Sequence, residues 1–552
     1  MKPSREEQAA QEIGRTEIQG RFAWLMIVTF WTLVLSVPLW QHIHEWSPLA
    51  SSGRVAPQCY DVLNLLPFPS EEKLEQFETE LEDQAVVRQK LLPPTQYVLS
   101  RLGSGNENAY CGRDGWLFFR DDVDYVTSRP FLDPQVIRKK GQLHPGWHAD
   151  PIPALIKMHD DLAEQDIELI VVPTPVKPVI YPEKFSSRYN GGEMLRNASF
   201  GDLCQRLESR GVRVLDVAPA LMAAKREGDQ PLYLNTDTHW TPRGLQIAVD
   251  ELVGFIRAAG ILDAAPDAPD ISPDKVEVEN QGDIAAMLQL SAGQNLYPRQ
   301  RVTIQRHTPE PQHDAAPAEI LLLGDSFSNI YSSADLGWGE HAGLVEQLQA
   351  ALNRPIDTMI RNGDGAFATR QQLNRELHRA LQRQQAGKPV AGPLTGKRLV
   401  IYQFAERELA NGNWKVLDFP HVDTPDVESE GPPVTVPSEL IVAGRIEAVA
   451  RVPRPGSVPY RDAITSVHLT DLQVQPGSHP TNNAKEIVAF LWGMRDNLWT
   501  PAARYQPGQT INLKLRPWSE VKSKNGRYTR IELDDPDFLL IDLPTYWAEE
   551  IP

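Results

Sequence analysis

The residues best able to do chemistry lie in two short strings, Asp237-Thr238-His239-Trp240 and Gly324-Asp325-Ser326-Phe327. A serine hydroxyl becomes a nucleophile when a histidine removes its proton and a carboxylate orients that histidine. Asp237 and His239 are two residues apart, so on an extended segment their side chains face the same side. We therefore predict a catalytic triad of Ser326, His239 and Asp237.

The same residues also fit a purely structural role. Asp325 and Ser326 are residue types that cap helices, and His239 stands just before a Thr-Pro pair that is typical of a helix start. The catalytic interpretation is favoured by the apolar run Leu321–Leu323, which predicts a buried strand that ends at the serine motif. Ligands of α/β proteins bind at the carboxyl ends of such strands.

Around these strings the sequence alternates between apolar strands and amphipathic helices. The predicted strands are 168–172, 212–217, 319–323, 356–360 and 398–404, and the predicted helices are 154–166, 201–210, 242–256, 340–353 and 369–384. Such alternation indicates an α/β fold with a mostly parallel sheet flanked by helices. We assign this domain to residues 91–415.

The N-terminal region predicts a membrane anchor. Phe22 to Trp40 form a 19-residue stretch without a charge, long enough to cross a bilayer. No small-residue cleavage site follows, as a signal peptide requires, so we expect an uncleaved helix at 22–43. Most nearby basic residues precede it, which places residues 1–21 in the cytoplasm and the rest of the chain outside it. The alternative is a buried helix of a soluble protein.

Three further segments complete the predicted domain organisation. Residues 44–90 form a periplasmic stalk with a helix that begins at Ser70 and is stopped by Pro93-Pro94. Residues 416–438 read as a linker rich in proline and acidic residues, and 439–552 as a small all-β sandwich or barrel. Trp492 and Trp518 in this β-domain are candidates for stacking on sugar rings, although such aromatics are often core residues.

Composition excludes several classes of function. The net charge of −18 argues against nucleic acid as a partner. The three cysteines form no Cys-x-x-Cys or Cys/His cluster, so we expect no metal site. A Cys59–Cys111 disulfide and three free thiols are equally compatible with the sequence.

The two chemical strings identify a family. Asp237-Thr238-His239-Trp240 together with Gly324-Asp325-Ser326-Phe327-Ser328 resembles the SGNH-hydrolase-like domain of the alginate O-acetyltransferase group, the AlgJ/AlgX-like proteins. Weaker strings agree over roughly residues 70–415: Gly115-Trp116-Leu117-Phe118, Pro173-Thr174-Pro175-Val176-Lys177 and Glu406-Arg407. Ordinary SGNH esterases carry the serine motif first, whereas here Asp and His precede Ser, as in the acetyltransferases.

The resemblance implies a role for each residue of the triad. Ser326 would become an acyl-enzyme, and His239 would act as general base for the serine and then for a sugar hydroxyl. Asp237 would orient His239 and stabilise its cationic form.

The remaining site candidates have structural alternatives. Asn362 would hold the oxyanion, as an asparagine does in SGNH enzymes, and Arg361 is a second candidate, although this segment also reads as a simple turn. Lys177, Tyr402 and Arg407 are candidates for lining the substrate groove, or they are structural.

The leading hypothesis is a periplasmic O-acetyltransferase, anchored in the bacterial inner membrane by one span, that acetylates hydroxyls of an exported polysaccharide. No acetyl-CoA site is evident and no cofactor is expected, so a partner must deliver the acetyl group. In the family this partner is a membrane-bound O-acyltransferase. The alternatives are a polysaccharide deacetylase or esterase with the same fold, and a non-catalytic glycan-binding assembly subunit.

Overall fold

A computed structural model gives the structure of the chain. It describes residues 20–45, Leu74, 85–263, 273–307, 318–387, 391–423, 440–474, 485–533, Leu540 and 543–551, apart from positions 145, 229, 292, 454, 456, 457, 459, 526 and 527. The described chain falls into two compact units, Met1–Val98 and Leu99–Pro552. The proposed domain boundaries are finer than this division and remain predictions.

The first unit contains a helix with the properties of a membrane anchor. Helix α1 spans Gly20–Glu45, and its segment Gly20–Gln41 has a mean hydropathy of 2.0. By length and composition this segment can cross a bilayer, as the sequence predicts. Most of the helix predicted to begin at Ser70 lies outside the described residues.

One helix boundary was predicted wrongly. Helix α2, Val86–Arg101, contains Pro93 and Pro94 within it rather than ending there. Proline lacks an N–H donor and weakens a helix locally. The residues on both sides nevertheless keep the helical path.

The second unit is built on a parallel sheet of five strands. Its order is β4-β3-β9-β7-β8, and every pair in it is parallel, which confirms the predicted fold class. All residues of β7 and β9 are buried, so both faces of the central strands are covered. The strands outside the C-terminal domain are β1 Ala109–Cys111, β2 Leu117–Phe119, β3 Glu168–Thr174, β4 Arg213–Val214, β5 Asp274–Asn280, β6 Gln300–Arg306, β7 Ile320–Gly324, β8 Ile356–Ile360 and β9 Leu399–Ala405.

Helices and two small hairpins surround the sheet. Helix α10 begins where the Thr241 hydroxyl accepts the Gly244 N–H and ends at Gly260, which has a φ of 63°. Hairpins β1–β2 and β5–β6 are antiparallel. The helices are α3 Arg120–Thr127, α4 Pro134–Leu143, α5 Pro151–Ala163, α6 Lys177–Ile180, α7 Pro182–Phe185, α8 Phe200–Glu208, α9 Ala218–Glu227, α10 Pro242–Ala259, α11 Asp283–Met287, α12 Ser326–Asn329, α13 Leu344–Leu352, α14 Gly365–Gln385 and α15 Glu408–Asn411.

The C-terminal domain is a closed barrel rather than a sandwich. Strand β10 pairs with β11, β11 with β12, β12 with β16, β16 with β14, and β14 returns to β10. This circuit, with β12 and β16 parallel, is the arrangement of a five-stranded Greek-key barrel of the OB type. The elements are β10 Leu440–Val449, β11 Ala463–Val474, β12 Ile487–Arg495, β13 Leu498–Trp499, β14 Thr510–Pro517, α16 Trp518–Asn525, β15 Thr529–Ile531 and β16 Thr545–Glu550.

Two sequence predictions fall wholly or partly outside the described residues. The linker 416–438 is described only as far as residue 423. Cys59 is also outside them, and Cys111 carries a free thiol 3.3 Å from the Tyr297 hydroxyl, so the suggested Cys59–Cys111 bridge is not formed. Cys204 is free as well.

Candidate active site

Ser326 is the first residue of α12, directly after the tight turn that follows β7. Asp325 fixes this turn: its Oδ1 accepts the Phe327 N–H at 2.8 Å and its Oδ2 accepts the Ala405 N–H at 2.7 Å. Gln403, on the neighbouring strand β9, donates from Nε2 to Asp325 Oδ1 at 2.9 Å. The capping role foreseen for Asp325 is thus real, and it holds the serine at the carboxyl end of the sheet.

Asp237 and His239 form a buried hydrogen-bonded pair. His239 Nδ1 is 2.7 Å from Asp237 Oδ1, and each side chain is 1% exposed. An ionised carboxylate can only accept, so Nδ1 carries the proton and Nε2 is the basic nitrogen.

The segment between the two residues is a turn, not the extended stretch that the spacing suggested. Asp237 Oδ1 also accepts the backbone N–H of His239 at 3.1 Å, and Leu234 N–H bonds to the His239 carbonyl at 3.0 Å. A Tyr233–Trp240 bridge closes the loop. The turn brings the carboxylate to the imidazole more closely than a strand spacing would.

The second oxygen of Asp237 is held by groups that the sequence did not reveal. Asp237 Oδ2 accepts the Trp338 indole N–H at 2.8 Å and the Asp283 backbone N–H at 3.0 Å. Burial acts to raise the pKa of Asp237, but the hydrogen bond and charge of His239 and these two donors lower it to about 2. Asp237 is therefore ionised at neutral pH.

The second ring nitrogen of His239 makes no hydrogen bond to any described residue, Ser326 included. This nitrogen, Nε2, is buried. The Phe327 ring, next to Ser326 in the chain, lies 4.8 Å from the imidazole centroid. Burial opposes charge on this ring, but Asp237, Asp283 and Asp325 together raise the pKa of His239 above its ordinary value.

The two oxyanion candidates have different surroundings. Both follow β8, whose Ile360 pairs with Gly324, so they lie at the same sheet edge as the serine. Asn362 is buried, and its Oδ1 accepts from Asn329 Nδ2 at 3.3 Å, which leaves the donor end of its amide for a ligand.

Arg361 does not suit the role of oxyanion donor in this structure. Its guanidinium pairs with Asp364 at 2.8 Å and with Glu532 of the C-terminal barrel at 3.4 Å, and its backbone N–H bonds to the Gly324 carbonyl. Arg361 instead links the α/β domain to the barrel.

Two of the three groove candidates are interior residues, and the third, Arg407, is half-buried. Lys177 is fully buried and donates to the carbonyls of Leu117 at 2.7 Å and Asn235 at 3.2 Å. Burial lowers the pKa of Lys177 to about 8. Tyr402 is fully buried and donates to the Ala366 carbonyl at 2.6 Å, while Arg407 pairs with the buried Asp122 at 2.9 Å. Lys177 and Tyr402 thus support the site from within rather than line a groove.

The two tryptophan candidates belong to one aromatic cluster on the barrel. Trp518 is buried and lies 4.9 Å from Phe490. Trp492 is half-buried, with Tyr528 at 4.8 Å and the Arg495 guanidinium at 4.1 Å. Trp518 also lines a cleft of about 840 Å³ between the barrel and the α/β domain, whereas Trp492 does not.

Asp237, His239 and Asp283 have ligand atoms within 4.8 Å of one another, as a metal site would require. A metal between Asp237 and His239 would hold their ligand atoms about 3 to 4 Å apart, since each bond to it is about 2 Å long. The 2.7 Å distance between Nδ1 and Oδ1 is instead that of a hydrogen bond. We therefore interpret the cluster as a hydrogen-bonded network.

Comparison with known proteins adds independent information. A family model described as "SGNH hydrolase-like domain, acetyltransferase AlgX" matches residues 109–385. A protein of Pseudomonas syringae pv. tomato named "Probable alginate O-acetylase AlgJ" is 25% identical over 283 residues, 48% of this chain and 63% of that protein. An Azotobacter vinelandii protein of the same name is 26% identical over 56% of this chain and 71% of its own length. The chain thus spans less than two thirds of the Pseudomonas syringae relative.

Two solved structures with similarity to the chain come from the same group. The O-acetyltransferase domain of Pseudomonas putida AlgJ gives a TM-score of 0.37 at 20% identity, covering 55% of this chain and 94% of that domain. Pseudomonas aeruginosa AlgX gives a TM-score of 0.35 at 15% identity, covering 74% of this chain and 91% of its own.

Proposed function

The chain belongs to the SGNH hydrolase-like acetyltransferase family of AlgX, and we propose that it is a membrane-anchored O-acetyltransferase that acetylates hydroxyls of an exported polysaccharide. The observation that carries the proposal is the buried His239, held by Asp237 on one nitrogen and without a partner among the described residues on the other, next to the turn that presents Ser326.

The first half of the proposed reaction loads the serine. Ser326 Oγ attacks the carbonyl carbon of an acetyl donor while its proton passes to His239 Nε2. The resulting oxyanion is held by the Ser326 N–H and the Asn362 amide. When the intermediate collapses, the bond to the donor breaks, and the departing group takes the proton from His239. Acetyl-Ser326 remains.

The second half delivers the acetyl group. A sugar hydroxyl gives its proton to His239 Nε2 as its oxygen attacks the acetyl carbon. Collapse of the second intermediate breaks the bond to Ser326, which recovers the proton and its hydroxyl. Asp237 stays ionised throughout, because its pKa of about 2 is far below that of a protonated imidazole, and it stabilises the positive charge on His239.

The donor and the location form the second part of the proposal. We propose that helix α1 places residues 1–21 in the cytoplasm and the catalytic domain in the periplasm, at the bacterial inner membrane. Acetyl-CoA is a cytoplasmic compound. A membrane-bound O-acyltransferase would therefore carry the acetyl group across the membrane and transfer it to Ser326. No cofactor of this chain is required.

We further propose that the cleft between the domains holds the acceptor polysaccharide. Ligands of OB barrels bind on the strands equivalent to β11 and β12 and on the adjoining loops. Phe490, Trp518 and Tyr528 from this side face the cleft, and Asn329 and Arg361 line it next to Asn362. Arg375, Arg379 and Arg383 line it from one side of α14, at the spacing of successive helical turns. Aromatic rings beside guanidinium groups suit a sugar chain that carries acidic groups.

The proposed function is tested by Ser326→Ala in cells that make the polysaccharide. We expect the O-acetyl content of the exported polymer to fall to background, while exposed Ser209→Ala leaves it unchanged. Unchanged acetylation in the Ser326 variant would overturn the proposal. Release of free acetate from purified protein, at the same rate with and without glycan and with no acetylated glycan formed, would identify an esterase instead.

A further inference from the structure

A second buried carboxylate, Asp283, faces the same nitrogen of His239 as Asp237 does. Asp283 Oδ2 lies 3.9 Å from His239 Nδ1, and Asp237 Oδ1 lies 2.7 Å from it. We propose that Asp283 is a positioning residue that holds the Asp237–His239 turn and sets, by its negative charge, how readily His239 takes a proton. The proposal rests on the roles proposed above for His239 and Ser326, but not on the nature of the acceptor.

Asp283 makes three hydrogen bonds, of which two hold the turn and the one to Ile284 stays at the start of α11. Its Oδ1 accepts the Thr238 N–H at 2.7 Å and the Ile284 N–H at 2.7 Å. Its own N–H donates to Asp237 Oδ2 at 3.0 Å. Asp283 therefore binds both the Thr238 N–H, which lies between Asp237 and His239, and the Oδ2 atom of Asp237.

The backbone is shaped to bring Asp283 this close. Gly282 has a φ of 94°, and a Cβ there would come within 2.9 Å of three backbone atoms of Thr236 and Asp237. Only glycine fits such a close approach with a positive φ. The Thr236 hydroxyl also donates to the Gln281 carbonyl, which fixes the two loops to each other.

The charges around His239 come from four places. They are Asp237 in its own loop, Asp283 at the start of α11, Asp325 after β7, and the buried Lys177, which interacts with Asp237 and Asp283. Burial and the negative charge of Asp237 raise the pKa of Asp283 to about 6. Asp283 is therefore mostly ionised above this pH, where His239 must act as a base.

The direction of the effect follows from the sign of the charge. A negative charge near an imidazole favours its protonated form, so Asp283 contributes to the raised pKa of His239. Removing that charge lowers the pKa, and His239 stays a free base at lower pH. The fall in activity on the acid side must then move to lower pH.

The test uses Asp283→Asn in the full-length chain. Asparagine keeps an oxygen that can accept both backbone N–H groups, but it removes the charge. The rate at which phenylmethylsulfonyl fluoride labels Ser326 is measured between about pH 5 and pH 9. In the plot of labelling rate against pH, we expect the fall on the acid side, the acid limb, to move down by roughly one pH unit. The rate on the plateau above it should be several-fold lower because the base is weaker. Asp250→Asn, which removes an exposed carboxylate on α10, is the matched control and should leave the limb in place.

Each outcome decides the proposal. A folded Asp283→Asn protein with an unmoved acid limb would overturn it, and Asp283→Ser, a second neutral variant able to accept from the same N–H groups, must give the same answer. Loss of the folded state in both neutral variants would also overturn it, because Asp283 would then serve the fold alone. Absence of labelling at Ser326 in the unchanged chain would instead remove the proposed function, and this inference with it. The probe needs no polysaccharide, so a wrong acceptor would not affect the result.

Discussion

At the scale of single residues, the two nitrogens of His239 decide whether the proposed acyl transfer can occur. Carboxylates occupy the Nδ1 side, and the buried Nε2 has no partner within the described part of the chain. A histidine in this state is a base with a defined tautomer, since Asp237 accepts the Nδ1 proton. The proposed chemistry needs this property more than it needs any single distance.

The tautomer can be tested with Asp237→Asn. The asparagine amide can present an N–H to Nδ1, which favours the tautomer with the proton on Nε2 and blocks the base. We expect the rate of Ser326 labelling by a sulfonyl fluoride to fall by about 10³-fold or more, while thermal unfolding shows a folded protein. A reduction of less than about tenfold in a folded variant would argue that Asp237 does not set the tautomer.

At the scale of elements, short loops rather than regular elements complete the site. The turn after β7 presents Ser326, the 234–240 loop presents Asp237 and His239, and the Gly282 loop presses Asp283 against them. Each loop is fixed by buried hydrogen bonds to another element, for example from Gln403 of β9 to Asp325. Supporting hydrogen bonds of this kind hold the side chains of a site in place.

Gly282→Ala tests the close approach of two of these loops. A methyl group must displace backbone of the 236–237 segment, and the Gly282 backbone, at φ 94° and ψ 154°, adds about 1–3 kcal/mol of strain for any other residue. We expect a total loss of roughly 2–4 kcal/mol in the free energy of unfolding, measured by urea denaturation, and slower labelling of Ser326.

Gly293→Ala is the control for this substitution. Gly293 also has a positive φ, 78°, but a Cβ there meets no atom within 4 Å. This variant should lose only the part of the free energy of unfolding that corresponds to backbone strain, and Ser326 should be labelled at the unchanged rate. Equal effects of the two substitutions would contradict the role given to the Gly282 loop.

Regular elements could be predicted from sequence, and their tertiary partners could not. Apolar runs and periodicity located β8 at 356–360, as observed, and the serine motif was correctly placed after a buried strand. Asp283 and Trp338 were missed because nothing in their own sequence neighbourhoods indicates contact with Asp237. The only local signal was the glycine next to each, Gly282 and Gly337, both with positive φ.

The roles of charged residues were harder to infer from the sequence. Their types suggested a groove, but burial decides their roles. Lys177 is fully buried and Arg407 pairs with the buried Asp122. Arg361 is committed to Asp364 and Glu532, and no sequence pattern predicts a partner 171 residues away.

At the scale of the whole molecule, the barrel and the α/β domain together form a surface that neither has alone. Arginine residues of α14 line one side of the cleft, and aromatic residues of the barrel line the other. Burial, with the neighbouring charges of Arg383 and Arg530, holds the pKa of Arg379 below its usual range, although Glu376 and Glu532 act against this. Five arginines and three glutamates line the cleft, and this excess of positive charge favours an anionic ligand.

Charge reversal tests this surface. We expect Arg379→Glu combined with Arg383→Glu to lower acetylation of an acidic glycan about tenfold or more at low salt, because like charges now repel. Labelling of Ser326 by a small neutral probe should be unchanged. Arg206→Glu combined with Arg210→Glu, at the same spacing around α8, is the control. If the control double variant lowers acetylation equally, the effect belongs to net charge and not to the cleft.

Trapping the acetyl-Ser326 intermediate shows whether Ser326 carries the acetyl group. The purified full-length protein is mixed with an activated acetyl ester, digested and examined by mass spectrometry, and a second sample is chased with glycan before digestion. We predict an acetyl group on the peptide that contains Ser326, its loss on the chase, and its appearance on the glycan. Acetylated glycan formed as fast by Ser326→Ala as by the unchanged chain would contradict the account.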